Sequence, residues 1–454
     1  MADRGREPVG DGAGLPTEGD LNLSPHRDRW QDEHLDAASR ALLERDARHF
    51  LHQSLSTPCL DVVRGCEGVE LIDGRGRRVM DFHGNSLHQV GYGHPRVIEA
   101  IERQLRELPF CPRRFTNEPA VALAERLGEL APGSLNKVLF APGGAETVGM
   151  ALKLARYATG RFKTLSMWDS FHGASLDTIS IGGEALFRRD VGPLLPGVLH
   201  VPPYASEGLG RDSAEYVEYV LEKEGDVGAV IAEPMRCTTV VSPPAEYWQA
   251  VRESCDRHGA LLVFDEIPIA LGRTGRMFCC EHYGVEPDML VIGKGLGGGV
   301  FPMAALIVRE DLDVAGERAL GHYTHEKSPV GAAAALATLD CIEEEGLLER
   351  ATELGRRGLE RLQAMAERQP LIAEVRGLGL QLGVELRRDG RRADDEAERA
   401  LYACLTRGLS FKVSDGNVLT LSPPLVIEPE QLDTALDIVE EAIAEVAASP
   451  GPAA

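Results

Sequence analysis

Two side chains stand where a reactive amine and a carboxylate could act on one ligand. The amine is Lys294, in GKGLGGG (293–299), directly after the apolar run MLVIG (289–293). A lysine at a strand end, flanked by glycines, has room for a bulky planar aldehyde adduct. From this segment alone, a surface lysine in a Gly-rich turn reads equally well. The carboxylate is Asp265, in LLVFDE (261–266). Following four apolar strand residues, it is expected to face the crevice at the strand end. There it can keep a pyridine nitrogen protonated and so make the ring an electron sink for a carbanion. A metal-binding or helix-capping aspartate is the alternative, and the two residues together say more than either one.

A third segment, FAPGGAETVGMALKLAR (140–156), reads as strand, Gly-Gly turn and helix. Free N–H groups at Gly144, Ala145 and Glu146, at the positive end of that helix, suit a phosphate; an ordinary tight turn is the bland reading. In WDSFHGAS (168–175), Phe171 could stack on a planar ring, with His172 and Gly173 beside it. A lone aromatic is more often core.

These residues require strands to carry them. From about residue 120 the pattern alternates helix and short apolar strand: KVLFA (137–141), TLSM (164–167), AVIAE (229–233), LLVFDE, MLVIG and AALIV (304–308). The alternation predicts an α/β fold with a mostly parallel sheet, helices on both faces and ligands at the strands' carboxyl ends. Upstream, RWQDEHLDAASRALLERDARHFLH reads as a helix, GVELIDGRGRRVMDF as a hairpin at Asp73-Gly74, and HPRVIEAIERQLREL as an amphipathic helix. The division expected is a disordered tail (1–22), an N-terminal segment of a small domain and interface (23–95), a large domain (96–334) and a C-terminal α+β small domain (335–454).

Bulk properties narrow the classes. A formal net charge of −23 over 454 residues disfavours nucleic acid or an anionic membrane as a partner. The nine cysteines are scattered without a C-x-x-C, which argues against a disulfide framework or a zinc motif; no metal is expected. No apolar run is long enough to span a membrane, and the first residues lack the apolar core of a secretory signal, so the cytoplasm is the expected location.

The order FAPGGAE, SFHG, AVIAEP, FDEIPIALGRTG, VIGKGLGGG, YTHEKSP and NVLTLSPPL resembles the class III aminotransferase family, fold type I, over about residues 45–445. The resemblance implies pyridoxal 5′-phosphate (PLP) as cofactor. It implies Lys294 as Schiff-base lysine and catalytic base, Asp265 on the pyridine nitrogen, Gly144 and Ala145 on the phosphate, and Phe171 on the ring with His172 beside it. Glu233 matches the family's Glu-Pro position. Thr324 matches a threonine that reaches the phosphate across a dimer interface, which implies a homodimer with composite sites.

The departures bear on the reaction. Pro268 stands where the family usually has a glutamine touching the cofactor, and Ala145 where it has Ser or Thr. Thr420 stands where members using 2-oxoglutarate carry an arginine for its carboxylate, and Thr cannot supply that bidentate grip. A finer resemblance, in EGDLNLSPHRDRW, MDFHGNSLHQVGYGHP, LPFCPRRFTN and EPMRCTTV, is to an ammonia-lyase branch that processes phosphonates. It points to Arg113, Arg114 and Arg236 as phosphonate ligands, with surface or interface salt bridges as the alternative for each. The expected function is elimination from a hydroxylated aminoethylphosphonate. The alternative is an ω-type aminotransferase passing its amino group to pyruvate or another small oxo acid.

Overall fold

The computed structural model describes residues 24–54, 56–204 and 213–449; the tail expected over 1–22 lies outside them. A seven-stranded sheet organises the chain. Its order is Leu135–Ala141, Ala304–Arg309, Met289–Ile292, Leu261–Asp265, Val227–Ala232, Lys163–Met167, Val198–Val201. Neighbours are parallel except Ala304–Arg309, which runs against both of its partners. That reversed strand, and the edge strand Val198–Val201, were not anticipated from the apolar runs: a short apolar run carries no signal of direction.

Period-two alternation explains why these runs are apolar throughout. Val263, Met289 and Val291 pack against the helix Gly144–Thr159 through Val148, Leu152 and Ala155, while Leu262, Phe264, Leu290 and Ile292 join the larger core on the other face with Trp248, Val251 and Leu339. Burying both faces fixes the register, and with it the level at which each strand ends.

Two smaller sheets flank this layer, the first antiparallel and the second with one parallel pair. One is built on the hairpin Ile372–Leu378/Gln381–Arg388, extended by Val418–Leu421 and Lys412–Ser414. The other joins Val63–Glu67, Glu70–Asp73 and Arg78–Asp81 to Leu409–Ser410, so N- and C-terminal segments share a sheet.

The boundary expected at 334/335 falls inside the helix Pro329–Glu344, which packs on the helices Pro95–Glu107 and Glu118–Leu130. A helix continues through a boundary whenever its intrahelical hydrogen bonds are unbroken, whatever the composition on either side. The single N-terminal helix is instead two, Pro25–His34 and Ala37–His49, because Asp36 caps the second by accepting from Ser39 N–H at 2.7 Å. Among the described residues no helix is long and apolar enough to cross a membrane.

Candidate active site

The register brings the chemistry to one edge. Asp265 pairs level with Val291 and Phe264 with Ala232, so Glu233, Asp265 and the Gly293-Lys294 turn leave the sheet side by side. Ala304 pairs with Ala141 and Ala305 with Ile292, which sets the Gly143-Gly144 turn at the same level. Ile267 lies at the centre: a Cβ on Gly144 would come 2.5 Å from Ile267 Cδ1, and one on Gly293 would come 3.5 Å from Ile267 Cγ2. The phosphate turn, the aspartate strand and the lysine strand therefore meet around one side chain that the sequence did not single out.

Lys294 is exposed and adopts φ +46°, a conformation uncommon for a residue with a Cβ. Such backbone persists where the surroundings over-determine it, and it occurs often at functional sites. Here Gln89 fills the space behind the turn, so closely that a Cβ on Gly295 would overlap its amide. Nothing in a lysine–glycine repeat predicts that support.

Asp265 is buried at 2% exposure and held from two directions. Its Oδ1 accepts the Ile267 N–H at 3.1 Å, and its Oδ2 lies 2.8 Å from His172 Nδ1. A carboxylate offers no proton, so Nδ1 is the donor and the imidazole tautomer is set. His172 Nε2 is buried without a hydrogen-bond partner among the described residues. His172, expected beside the ring, thus serves the carboxylate.

The helix Gly144–Thr159 begins at Gly143 with no side-chain cap, and Thr147 N–H to Gly143 O is its first internal bond. The N–H groups of Gly144, Ala145 and Glu146 therefore have no partner within the helix. Gly173 closes against Ala145, where an added Cβ would sit 2.7 Å from the Ala145 Cβ. Phe171 packs its ring 4.7 Å from that of Phe187, while its N–H donates to Glu233 Oε1 at 3.0 Å. Pro268 is buried in the turn after Asp265. A buried carboxylate, an amine, a capless helix start and a partly buried aromatic on one edge fit the ring, aldehyde and phosphate of PLP.

The arginines divide. Arg236 is ion-paired with both Glu233 and Glu184, and the three side chains are mostly buried. A phosphonate would have to displace two carboxylates to reach it. Arg113 and Arg114 are exposed in a turn and make no hydrogen bond or ion pair among the described residues. That turn lies against the segment holding Thr324: Asn117 Nδ2 donates to the Lys327 carbonyl at 3.1 Å, and the Phe110 ring meets His325 edge-on at 5.4 Å. Thr324 is likewise exposed. Thr420 is buried, its hydroxyl donating to the Thr238 carbonyl at 2.5 Å and lying 3.0 Å from Ser414 Oγ.

Behind Asp265, Glu266 is fully buried and accepts the N–H groups of Cys279 and Cys280 at 2.5 and 2.7 Å; burial pushes its carboxyl up to about 7. His88 is also buried, its Nε2 lying 3.1 Å from the Asp81 carbonyl, as expected of a structural histidine.

The profile of the Aminotransferase class-III family matches residues 52–443. The chain is 49% identical to the (R)-1-hydroxy-2-aminoethylphosphonate ammonia-lyase of Vibrio splendidus, over 98% of both chains. It is 37% identical to a leucine/methionine racemase of Thermococcus litoralis, over 89% of this chain and 95% of that one. Among solved structures, a Bacillus anthracis aminotransferase superposes with a TM-score of 0.85 at 30% identity, covering 91% of this chain and all of that one. An (S)-enantioselective omega-transaminase of Thermomicrobium roseum does so with a TM-score of 0.84 at 30% identity, over 91% and 99%. The fold is therefore fold type I, the cofactor is PLP, and the chain belongs to the class-III aminotransferase family.

Proposed function

We propose that this enzyme is an ammonia-lyase that converts a hydroxylated aminoethylphosphonate to phosphonoacetaldehyde and ammonia. The observation that carries the reading is Thr420, whose hydroxyl is tied to the Thr238 carbonyl and lies beside Ser414 Oγ, at the position where 2-oxoglutarate users carry a carboxylate-gripping arginine. A reaction that consumes no oxo acid needs no such cation. The 49% identity to the Vibrio splendidus lyase supports the same choice.

When bound, PLP supplies a cationic ring that takes up the electron pair left by C–H cleavage. Asp265 would keep the proton on that ring's nitrogen, and the hydrogen bond from His172 aims its carboxylate. The N–H groups of Gly144 and Ala145 hold the phosphate, and Phe171 covers one face of the ring. Glu233 holds the Phe171 backbone, and Pro268 shapes the turn beside it. Lys294 tethers the cofactor, then takes the proton from the carbon bearing nitrogen. The adjacent hydroxyl leaves as water with a proton returned from Lys294. The released enamine takes up water to give the aldehyde and ammonia.

Arg113 and Arg114, beside the Thr324 segment, bind the phosphonate dianion of a partner subunit's substrate in a homodimer with composite sites. Their lack of carboxylate partners among the described residues supports this role. The test is incubation of purified holoenzyme with the hydroxylated aminoethylphosphonate and no oxo acid. Ammonia and aldehyde in equal amounts are expected. Turnover that requires pyruvate or 2-oxoglutarate, with alanine or glutamate formed in place of ammonia, would establish the aminotransferase alternative.

A further inference from the structure

Away from the site, the helices Pro95–Glu107 and Pro329–Glu344 meet end to end in charge. His94, at the N-cap of the first, makes no side-chain cap bond to its own helix. It faces the last turn of the second, where Cys341 Sγ is 3.5 Å from His94 Nδ1 and Glu345 Oε1 is 3.1 Å from Nε2. One ligand atom from each of the three residues lies within 4.8 Å of the others. Cys341 and Glu345 are four residues apart on one helical face, so both project toward the imidazole.

We propose that His94, Cys341 and Glu345 form a site for a thiophilic divalent cation of the zinc class, stapling the two helices behind the Lys294 turn. Nitrogen, sulfur and oxygen donors in one cluster are the set that zinc takes, with water as the fourth ligand. Ligand bonds of about 2.0 Å to nitrogen and 2.3 Å to sulfur put those two atoms about 3.6 Å apart, close to the separation seen. Glu345 is more than a third exposed on its side chain and, among the described residues, that side chain is bonded only to His94, so it can turn from Nε2 toward the Nδ1 side.

The electrostatics favour a cation. The site lies at the negative end of the helix Pro329–Glu344, which has no basic residue in its last turn. Glu343 and Glu344 stand beside it, and they are paired with Arg126 and Arg96 respectively. Thiolate and carboxylate then balance a dication. Binding releases the Cys341 proton, so affinity should rise with pH.

The position has a consequence for the enzyme. One turn further into each helix, Val97 and Thr338 close on Gly298, where an added Cβ would lie 2.7 Å from either. The staple would therefore brace the wall against which the lysine turn packs. No sequence motif announces it, since His94 and Cys341 are 247 residues apart.

The test uses tag-free holoenzyme dialysed to equilibrium against buffered zinc, with metal per chain measured in wild type, C341S, H94A and E345Q. One zinc per chain is expected. Loss of a ligand should weaken binding by at least the about tenfold that losing an outer-shell partner costs. Cadmium should give a thiolate charge-transfer band in the far ultraviolet, clear of the cofactor, which C341S abolishes. E345Q, at an exposed position, covers the case in which a core variant fails to fold. No stoichiometric zinc in wild type, or zinc and cadmium signals unchanged in C341S and E345Q, would overturn the proposal.

Discussion

At the carboxyl edge of the large sheet, Asp265, Glu233 and Arg236 each have partners in their own chain, whereas Arg113, Arg114 and Thr324 stand exposed on a neighbouring surface without one among the described residues. The first region is built as a buried polar network. Every charge there is met, because an unmet one in that setting is costly. The second region leaves its charges in water, where they cost little until something binds. Under the proposed function, holding the cofactor would be largely a property of one folded chain, and gripping the substrate's anionic end would be left to groups brought to it by a partner subunit.

Substitutions can break that contrast, and the largest effect is expected at its reactive centre. Lys294→Ala should abolish both turnover and the absorbance of the lysine-bound cofactor; a variant retaining either would remove the lysine from the site. Asp265→Asn keeps the shape but not the charge, and should lower kcat by about 10²-fold or more, read in steady-state kinetics with saturating cofactor. Arg236→Ala strands two buried carboxylates, so a stability loss of about 3–5 kcal/mol is expected in chemical denaturation, with weakened cofactor retention. If Arg236→Ala leaves stability and cofactor binding intact while raising KM alone, Arg236 is a substrate ligand after all.

Arg113→Ala and Arg114→Ala test the open region. Each should raise KM for the phosphonate about tenfold, with stability and cofactor binding untouched; equal losses of cofactor would merge the two regions. The last test, away from both regions, concerns His88. Burial, with Arg273 nearby adding to it, lowers its pKa to about 3, so between pH 3 and 6.5 the unfolded chain binds the proton that the folded one refuses. Its contribution to stability is therefore lost as pH falls below 6.5, by up to about 1.4 kcal/mol per pH unit. Denaturation midpoints of wild type and His88→Gln across that range should converge in acid.

How legible these features were depended on where their physical cause lies. Strand ends were readable because an apolar run stopped by a charged or glycine-rich segment records where burial stops, and Asp265 and Lys294 each sit at such a stop. The phosphate turn was readable because the glycines and the helix pattern are contiguous. The ion pairing of Arg236 could not be read from sequence because Glu184, one of its two partners, lies 52 residues away on another segment. Ile267 and Gln89 gave no signal, since a packed side chain next to a reactive turn looks like any core residue.

The sequence alone determined the element types, the lysine and aspartate at strand ends, and the absence of an arginine at 420, all of which are written in local pattern and residue type. Tertiary structure decided the direction of Ala304–Arg309, the pairing of His172 with Asp265, the commitment of Arg236 and the meeting of His94 with Cys341. Each of these is a contact between segments far apart in the chain. Register and packing set such contacts over three dimensions, and no local periodicity encodes them.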